Sequence, residues 1–127
     1  MVDRVGIGRI GVDVVPLDRA RRLIGEPALR RMLSADELLL SSTSDGVDAA
    51  GVAGRLAAKE AVFKLFHATG ETMPWLHTEI LRGAGGWPEV RLHGRAARLA
   101  AEAGIEHITV SITHDDACAI AVAAAVT

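Results

Sequence analysis

The strongest constraint on the fold of this chain is a helical pattern that runs from Val47 to His67. Its large apolar side chains recur near the 3.6-residue period of an α-helix, with alanines filling the positions between them: Val52, Leu56, Phe63 and Phe66. Gly70 follows the last of these residues and predicts the end of the helix. Because a helix with one apolar face has to bury that face against a second layer, the remaining segments are expected to form a sheet that covers it.

Strand patterns lie on both sides of the long helix. Their composition and alternation predict strands at 5–15, 75–81, 89–92, 108–113 and 118–126. The last of these segments is apolar throughout, which predicts that it is buried on both faces. The glycine-rich segment 83–86 supplies the turn of a hairpin between the second and third strands.

Shorter helices and a loop fill the remaining connections. Helical patterns are predicted at 17–24, 28–33, 35–40 and 94–103, and residues 41–46 form a polar loop. Ser34 and Glu37 have the spacing of a capping box, which marks the start of the third short helix. The coarse order of these elements predicts a single α+β domain over residues 1–127, with a mainly antiparallel sheet packed on the long helix.

Charge balance and cysteine count exclude several classes of protein. A net charge of −2 provides no overall basic field for nucleic acid. Charged residues interrupt the N-terminal segment and no window approaches the roughly 20 apolar residues of a membrane span, so neither a signal peptide nor a membrane segment is predicted. Cys118 is the single cysteine, so no intrachain disulfide can form, and a buried, unreactive thiol in a cytoplasmic protein is expected. A hydrophobic content of 50% is a weak indication of oligomerisation.

Two acidic residues that are far apart in the sequence are the main candidates for chemistry. Asp13 lies in the apolar run 11–15, where a buried charge is costly unless it is paired or bound to a metal. Glu60 lies on the long helix, and a carboxylate on a strand can meet one on a helix and share a hard cation such as Mg²⁺. A Mg²⁺ ion held in this way completes its shell with water and substrate phosphate oxygens. Lys64 follows Glu60 by one helical turn and would direct a positive charge at those phosphates. The combination indicates phosphoryl-type transfer.

An ordinary structural role for the same residues is the alternative. Glu60 and Lys64 have the i,i+4 spacing of a helix-surface salt bridge, worth about 0.3–0.5 kcal/mol, and such pairs are common. For Asp13 the alternative role is a strand-end cap or a turn former, but the cost of burying its charge favours a functional role. Lys59 lies about 100° round the helix from Glu60 and is a secondary candidate. The five histidines lack the spacing of zinc ligands, so no zinc site is predicted.

The first predicted helix carries a basic stripe. Arg19 and Arg22 share one face of it, and Leu23 lies beside them. Such a surface suits the docking of an acidic helix, because complementary charge accelerates association and weakens with added salt. A solvated surface with no partner is the alternative interpretation.

Three blocks of residues, taken in order, carry a family resemblance. They are Ile10–Val15, followed by the basic helix; Gly54–Ala61, with Lys64 one turn further on; and Val110–Asp115, followed by Ala119–Val122. With the hairpin segment Gly86-Trp87-Pro88 they cover nearly the whole chain. Each block alone is common, but at these spacings together the chain resembles the holo-[acyl-carrier-protein] synthases, the short stand-alone type of 4′-phosphopantetheinyl transferase.

The resemblance implies a reaction and a set of residues for it. Such enzymes move the 4′-phosphopantetheine arm of coenzyme A to a serine of an apo acyl carrier protein and release 3′,5′-ADP. The implied Mg²⁺ ligands are Asp13 and Glu60, and Lys64 would hold the pyrophosphate. Implied coenzyme A contacts are Arg55, Lys64, Gly86, Pro88 and His114, and implied carrier-protein contacts are Arg19, Arg22 and Leu23. The resemblance also implies a homotrimer with its active sites at subunit boundaries.

Two departures from the family pattern bear on function. Pro16 stands where the family usually has Glu, and no Lys or Arg occurs from Met32 to Gly54, where relatives often carry basic residues. Both favour an alternative function: a non-catalytic relative that still binds carrier protein or coenzyme A. The sequence leaves open which carrier is served, whether of fatty-acid or polyketide synthesis, and which group acts as general base.

Overall fold

A three-stranded sheet and the long helix packed on it form the centre of the computed structural model, which describes residues 7–126. The strands are β1 (Ile7–Pro16), β2 (Ser42–Thr43), β3 (Gly46–Val47), β4 (Thr78–Arg82), β5 (Pro88–Leu92), β6 (His107–His114) and β7 (Cys118–Val126). The helices are α1 (Leu17–Leu23), α2 (Ala35–Leu40), α3 (Ala49–Leu65) and α4 (Gly94–Glu102). The order in the main sheet is β1-β7-β6, and every strand pair within the described residues is antiparallel. The predicted α+β class and the antiparallel sheet on a long helix are confirmed.

Small side chains allow α3 to lie close to the main sheet. The central strand β7 directs four fully buried alanines toward the helix: Ala119, Ala121, Ala123 and Ala125. From α3, the buried alanines at 57, 58 and 61 add little bulk of their own. On β1, a Cβ atom at Gly11 would run into the backbone carbonyl of Ala61. The glycine therefore permits an approach of β1 to α3 that any larger residue would prevent.

The other face of the main sheet is apolar and exposed in the single chain. Strand alternation places Ile10, Val12 and Val14 on this face, with Ile120 and Val122 beside them on β7. Their exposed fractions range from 39% for Ile120 to 65% for Ile10. The prediction that the last strand is buried on both faces is thus wrong for the single chain, because α3 covers only one side. Cys118, at the start of that strand, is half-buried rather than enclosed.

Several element boundaries differ from the prediction. The strand expected from Trp75 begins at Thr78, because Thr78 pairs with Leu92, the last residue of β5, and residues 75–77 form a 3₁₀ turn. The helix expected at 28–33 is likewise a 3₁₀ turn over Pro27–Arg31. The predicted loop at 41–46 contains most of a small hairpin made by β2 and β3. The predicted strand start at 5–6 lies outside the described residues.

The capping box at the start of α2 is confirmed. The hydroxyl of Ser34 accepts a hydrogen bond from the Glu37 amide, and the Glu37 carboxylate accepts one from the Ser34 amide. Together these bonds satisfy two amides that a helix start leaves without partners.

Glu37 also belongs to a fully buried ion pair that joins α2 to α3. Lys59 Nζ donates to Glu37 Oε1 at 2.7 Å, and both side chains are 0% exposed. The other two protons of the ammonium group reach the backbone carbonyls of Met32 at 2.7 Å and Trp75 at 2.6 Å. Burial lowers the pKa of Lys59, and the Glu37 carboxylate opposes that shift. Lys59 is therefore a core residue, because every donor it has is already used.

Within residues 7–126, no helix combines the length and the apolar character needed to cross a bilayer.

Candidate active site

The side chain of Asp13 points toward α3. Residues 11, 13 and 15 share one face of β1, and Gly11 and Val15 on that face are buried. The Asp13 side chain is 18% exposed, and its Oδ1 atom accepts a hydrogen bond of 2.9 Å from the Val14 amide. Since Gly11 brings β1 against the helix, Asp13 faces the helical turn that carries Glu60 and Lys64.

The carboxyl groups of Asp13 and Glu60 meet and share a hydrogen bond. Burial, this bond and the Asp13 charge raise the pKa of Glu60 to about 7. Burial pushes the pKa of Asp13 upward, but the bonds from Glu60 and the Val14 amide and the charges of nearby cations outweigh it, so the net shift is downward. Glu60 is therefore the carboxyl of the pair that takes up a proton more readily. The structure brings together two residues that are 47 positions apart in the sequence.

Two cations flank the carboxyl pair. Lys64 Nζ lies 3.8 Å from Asp13 Oδ1 and donates a 2.8 Å hydrogen bond to the Val12 carbonyl. Arg19 Nη2 lies 3.5 Å from Glu60 Oε1. In the described part of the chain, Lys64 pairs with Asp13 and not with Glu60, so the alternative of a simple i,i+4 surface salt bridge is wrong.

This donor set fits a magnesium ion better than a transition metal. Mg²⁺ is typically bound by one or two carboxylates and keeps several waters or substrate phosphate oxygens. Asp13 and Glu60 provide two carboxylates of this kind, and among residues 7–126 no group of three or more His, Cys, Asp or Glu side chains could hold a metal. Two carboxyls held this close repel each other when both are ionised, and a divalent cation bound to both would remove that repulsion.

A cavity of about 400 Å³ opens on a different side of α3 from the Asp13–Glu60 pair. It brings together four residues that the sequence assigned to the coenzyme: Arg55, Gly86, Pro88 and His114. The fifth, Lys64, lies at Asp13 and does not line the cavity. Arg55 precedes Glu60 by five residues on α3, so the cavity and the carboxyl pair are offset by about 7.5 Å along the helix axis. A long, flexible ligand could occupy both.

Arg55 is held in a fixed position within the cavity wall. Its Nε atom donates a 2.9 Å hydrogen bond to the Ile80 carbonyl, and Nη1 donates one of 3.1 Å to the Ser41 hydroxyl. The Ile80 amide in turn donates to Glu37 Oε2 at 2.9 Å. The buried ion pair and the cavity wall are therefore connected through one residue of β4, because the Ile80 amide bonds to Glu37 and the Ile80 carbonyl bonds to Arg55.

The three predicted docking residues are in different environments. Arg22 is exposed on α1, while Leu23 is half-buried against the core. Arg19 turns toward Glu60 instead of toward solvent. The basic surface of α1 therefore extends to the Asp13–Glu60 pair, which the sequence alone did not predict.

Two further cavity residues were missed by the sequence interpretation. Ser41 and Arg82 both line the cavity, and Ser41 is buried. Arg82 could have been found from strand alternation, because it lies two residues after Ile80 and shares its face. Nothing in the sequence indicates Ser41, since its contact with Arg55 joins residues that are 14 positions apart.

Comparison with known proteins identifies the family. The family model of the 4′-phosphopantetheinyl transferase superfamily matches residues 9–123. A holo-[acyl-carrier-protein] synthase of Frankia casuarinae is 38% identical over 120 residues, which cover 93% of this chain and 96% of that protein. The chain therefore belongs to the 4′-phosphopantetheinyl transferase superfamily. Within it the chain falls among the holo-[acyl-carrier-protein] synthases, which are enzymes.

A solved structure and a larger relative extend the comparison. The holo-[acyl-carrier-protein] synthase of Helicobacter pylori, crystallised in complex with coenzyme A, superposes with a TM-score of 0.77 at 26% identity, covering 92% of this chain and 99% of that one. The fatty acid synthase subunit alpha of Schizosaccharomyces pombe is 46% identical over 78 residues, or 60% of this chain. That match spans only 4% of the yeast subunit, whereas the match to the Frankia synthase is nearly complete.

Proposed function

We propose that this chain transfers the 4′-phosphopantetheine arm of coenzyme A to a serine of an apo acyl carrier protein and releases 3′,5′-ADP, with Mg²⁺ as cofactor. The observation that carries the proposal is the meeting of Asp13 and Glu60 beside Lys64. The coenzyme A complex of the Helicobacter pylori relative supports coenzyme A as the substrate. Sharing a proton between two carboxylates serves no evident structural purpose, but it prepares a site for a cation that binds phosphates.

The reaction breaks one phosphorus–oxygen bond and forms another. The serine hydroxyl oxygen attacks the β-phosphorus of coenzyme A, and the bond to the oxygen bridging the α-phosphate breaks, so that oxygen leaves on 3′,5′-ADP. The serine proton is lost to a base. Asp13 and Glu60 would hold Mg²⁺, which supplies neutralisation of the pyrophosphate charge.

The chain's own cations complete the charge balance. Lys64 lies 3.8 Å from Asp13 and is half-exposed, so its ammonium group can reach a pyrophosphate placed over the carboxyl pair. On the side of α3 that carries the cavity, Arg55 and His114 are placed for the nucleotide end of the coenzyme, with Gly86 and Pro88 at the rim. Positioning and electrostatic stabilisation of this kind account for most of the rate of phosphoryl transfer.

The acidic carrier protein would dock on α1. Arg22 is exposed there, Leu23 offers partly buried apolar surface, and Arg19 leads to Glu60. A carrier helix on this surface would bring its serine next to the carboxyl pair. Because the attraction is electrostatic, the KM for carrier is expected to rise with salt while that for coenzyme A changes less.

A homotrimer with active sites at the subunit boundaries is the proposed assembly. The exposed apolar face of β1 and β7, with Ile10, Val12 and Val14 at its centre, supports it, because apolar area of this kind usually marks an interface. Light scattering on the purified protein measures the assembly directly. A monomer at all concentrations would contradict the proposal, and a dimer would contradict three-fold closure.

The reaction would take place in the cytoplasm, in keeping with a single free cysteine.

One assay tests the transfer itself. The purified protein is incubated with coenzyme A, Mg²⁺ and a panel of apo-carriers from fatty-acid and polyketide synthesis, and each carrier is weighed by mass spectrometry. A gain of about 340 Da, the mass of the arm, is expected on at least one carrier and should require the metal. No gain on any carrier, together with metal-independent binding of coenzyme A, would establish the non-catalytic alternative instead.

A further inference from the structure

Arg9 ties strand β1 to the C-terminal end of helix α3. Its Nη1 atom donates a 2.8 Å hydrogen bond to the backbone carbonyl of Leu65, which lies 56 positions later in the sequence. The last carbonyls of a helix have no amide partner within the helix, and a cation is favoured beside them. Within residues 7–126 no carboxylate lies at ion-pair distance from Arg9, so the bond to Leu65 is what fixes its guanidinium group.

The Arg9 contact and the carboxyl pair lie on opposite sides of the close approach at Gly11. Arg9, Gly11 and Asp13 alternate along one face of β1, the face that packs on α3. At Gly11 the strand meets the Ala61 backbone. A strand that touches a helix at one point can tilt about that point, whereas a second fixed contact determines its orientation. The bond from Arg9 therefore bears on how near Asp13 comes to Glu60.

The other polar side-chain contacts between β1 and α3 belong to the proposed chemistry. In the described part of the chain they are the bond from Lys64 to the Val12 carbonyl, the 3.8 Å approach of Lys64 to Asp13, and the bond between Asp13 and Glu60. The two carboxylates repel each other when both are ionised, and the ammonium group of Lys64 also has to serve the pyrophosphate. These contacts do not hold the two elements together independently of the reaction, whereas the bond from Arg9 does.

We infer that Arg9 is a positioning residue, which preorganises the magnesium site by holding β1 on α3 at the orientation in which Asp13 and Glu60 converge. The inference rests on the proposed function, since it concerns the same metal site. Arg9 acts through the Leu65 backbone and not as a ligand. Two carboxylates that are already in place bind an ion more tightly than two that must first be brought together, because less ordering is needed on binding.

Calorimetric titration of Mg²⁺ into the protein saturated with coenzyme A, without carrier, tests this role in the absence of turnover. Arg9→Ala should raise the apparent dissociation constant for Mg²⁺ by about 10-fold, the lower end of the loss expected when a group that orients metal ligands is removed. Arg9→Lys should raise it by only about 3-fold, because lysine keeps a charged donor but loses the planar fork. The KM for carrier should not change, because Arg9 bonds to α3 and not to α1.

Arg95→Ala is the matched control. Arg95 Nη1 donates to the Thr72 carbonyl at 2.6 Å and to Glu71 Oε2 at 2.9 Å, so it is also an arginine that holds a backbone carbonyl, but it joins α4 to the segment before β4. Both alanine variants should lower the melting temperature by about 3–6 °C, because each loses a charge-assisted hydrogen bond. Only Arg9→Ala should weaken Mg²⁺ binding.

Equal Mg²⁺ affinities for Arg9→Ala and Arg95→Ala would overturn the inference, as would an Arg9→Lys protein that binds the ion no better than Arg9→Ala. Should Arg9→Ala fail to fold, Arg9→Lys carries the test, and a Mg²⁺ affinity equal to that of the wild type would contradict the role. A wild-type protein that transfers the arm, with Arg9 variants that bind the ion normally, would remove the inference alone. A wild-type protein that neither binds Mg²⁺ nor transfers the arm would remove the proposed function as well.

Discussion

Lys59 and Glu60 are neighbours in the sequence, yet they belong to two charged centres with opposite properties. Lys59 meets Glu37 in the core at 2.7 Å, where both side chains are fully enclosed and all three ammonium protons have acceptors. Glu60 meets Asp13, a group of like charge, in a site that remains 22% exposed at Glu60 and 18% at Asp13. One step along α3 turns the chain by about 100°, which is enough to separate them.

The contrast shows what distinguishes a structural charge from a reactive one. The Glu37–Lys59 pair is complete, so nothing is left for a ligand to supply. The Asp13–Glu60 pair is incomplete, because two groups of like charge face each other and raise the pKa of Glu60 to about 7. Incomplete satisfaction together with partial exposure, more than burial alone, is the physical basis for proposing a functional role for the second centre.

The largest expected effect is the loss of transfer activity when the Asp13–Glu60 pair is substituted. Glu60→Ala should reduce transfer by roughly 1,000-fold or more, because it removes one of the two proposed metal ligands, while the melting temperature changes little. Asp13→Ala should do the same. Carrier modification followed by mass spectrometry, with thermal unfolding as the control, checks both. Turnover near that of the wild type in either variant would refute the role given to that residue.

The opposite pattern, a large loss of stability, is expected for substitutions in the buried Glu37–Lys59 pair. Glu37→Ala leaves the buried ammonium of Lys59 without its carboxylate and should destabilise the fold by about 3–5 kcal/mol. The double variant Glu37→Leu with Lys59→Met should recover only part of that loss, because it removes the unpaired charge but leaves the backbone groups that Glu37 and Lys59 bonded without those partners. Urea unfolding measures both. If the double variant is no more stable than the single one, the charge is not the cause.

Gly11→Ala tests the close packing of β1 on α3, which brings Asp13 next to Glu60. The added methyl group would meet the Ala61 carbonyl and push β1 away from α3. A loss of stability of about 1–3 kcal/mol is expected from overpacking, together with weaker Mg²⁺ binding as Asp13 moves away from Glu60. Calorimetric titration with Mg²⁺ and coenzyme A reports the second effect. Ala53→Gly, at a buried α3 position outside the site, is a control that costs about 1 kcal/mol and should leave metal affinity intact.

The last prediction concerns the pH dependence of stability that follows from the raised pKa of Glu60. The pKa of Glu60 is about 7 in the folded, metal-free protein, against an ordinary value of 4.5. Between those values the folded state binds more protons than the unfolded state, so stability should fall as pH rises from about 4.5 to 7. For a side chain that is 22% exposed, the decline should be on the order of 2 kcal/mol. The lowered pKa of Asp13 acts in the opposite sense and only below its ordinary value of 3.8.

Glu60→Gln provides the comparison for this prediction. Its amide can donate to Asp13 at every pH, as the protonated acid does, so its stability should be flat across the same window. Unfolding in urea with a chelator present, at several pH values, gives both curves. Parallel curves for the two proteins would show that the slope arises elsewhere.

Much of the fold could be predicted because its signals are local. The period of the apolar residues on α3, the Ser34–Glu37 capping box and the glycine turn of the β4–β5 hairpin each depend on neighbours within a few positions. Errors occurred where pairing partners decided the outcome. Trp75 has a strand-like sequence around it, but β5 is too short to pair beyond Thr78, so the segment turns instead.

The sequence by itself made Asp13, Glu60 and Lys64 the candidates for chemistry, because a carboxylate in an apolar strand is costly unless it is paired, and because the family resemblance covers all three residues. Only the tertiary structure decided the partners: Lys64 with Asp13, Arg19 with Glu60, Lys59 with Glu37. The physical reason is that an ion pair depends on distances of a few ångströms. Those distances are set by the approach of β1 to α3 at Gly11, and by contacts between segments that are 22 to 52 residues apart.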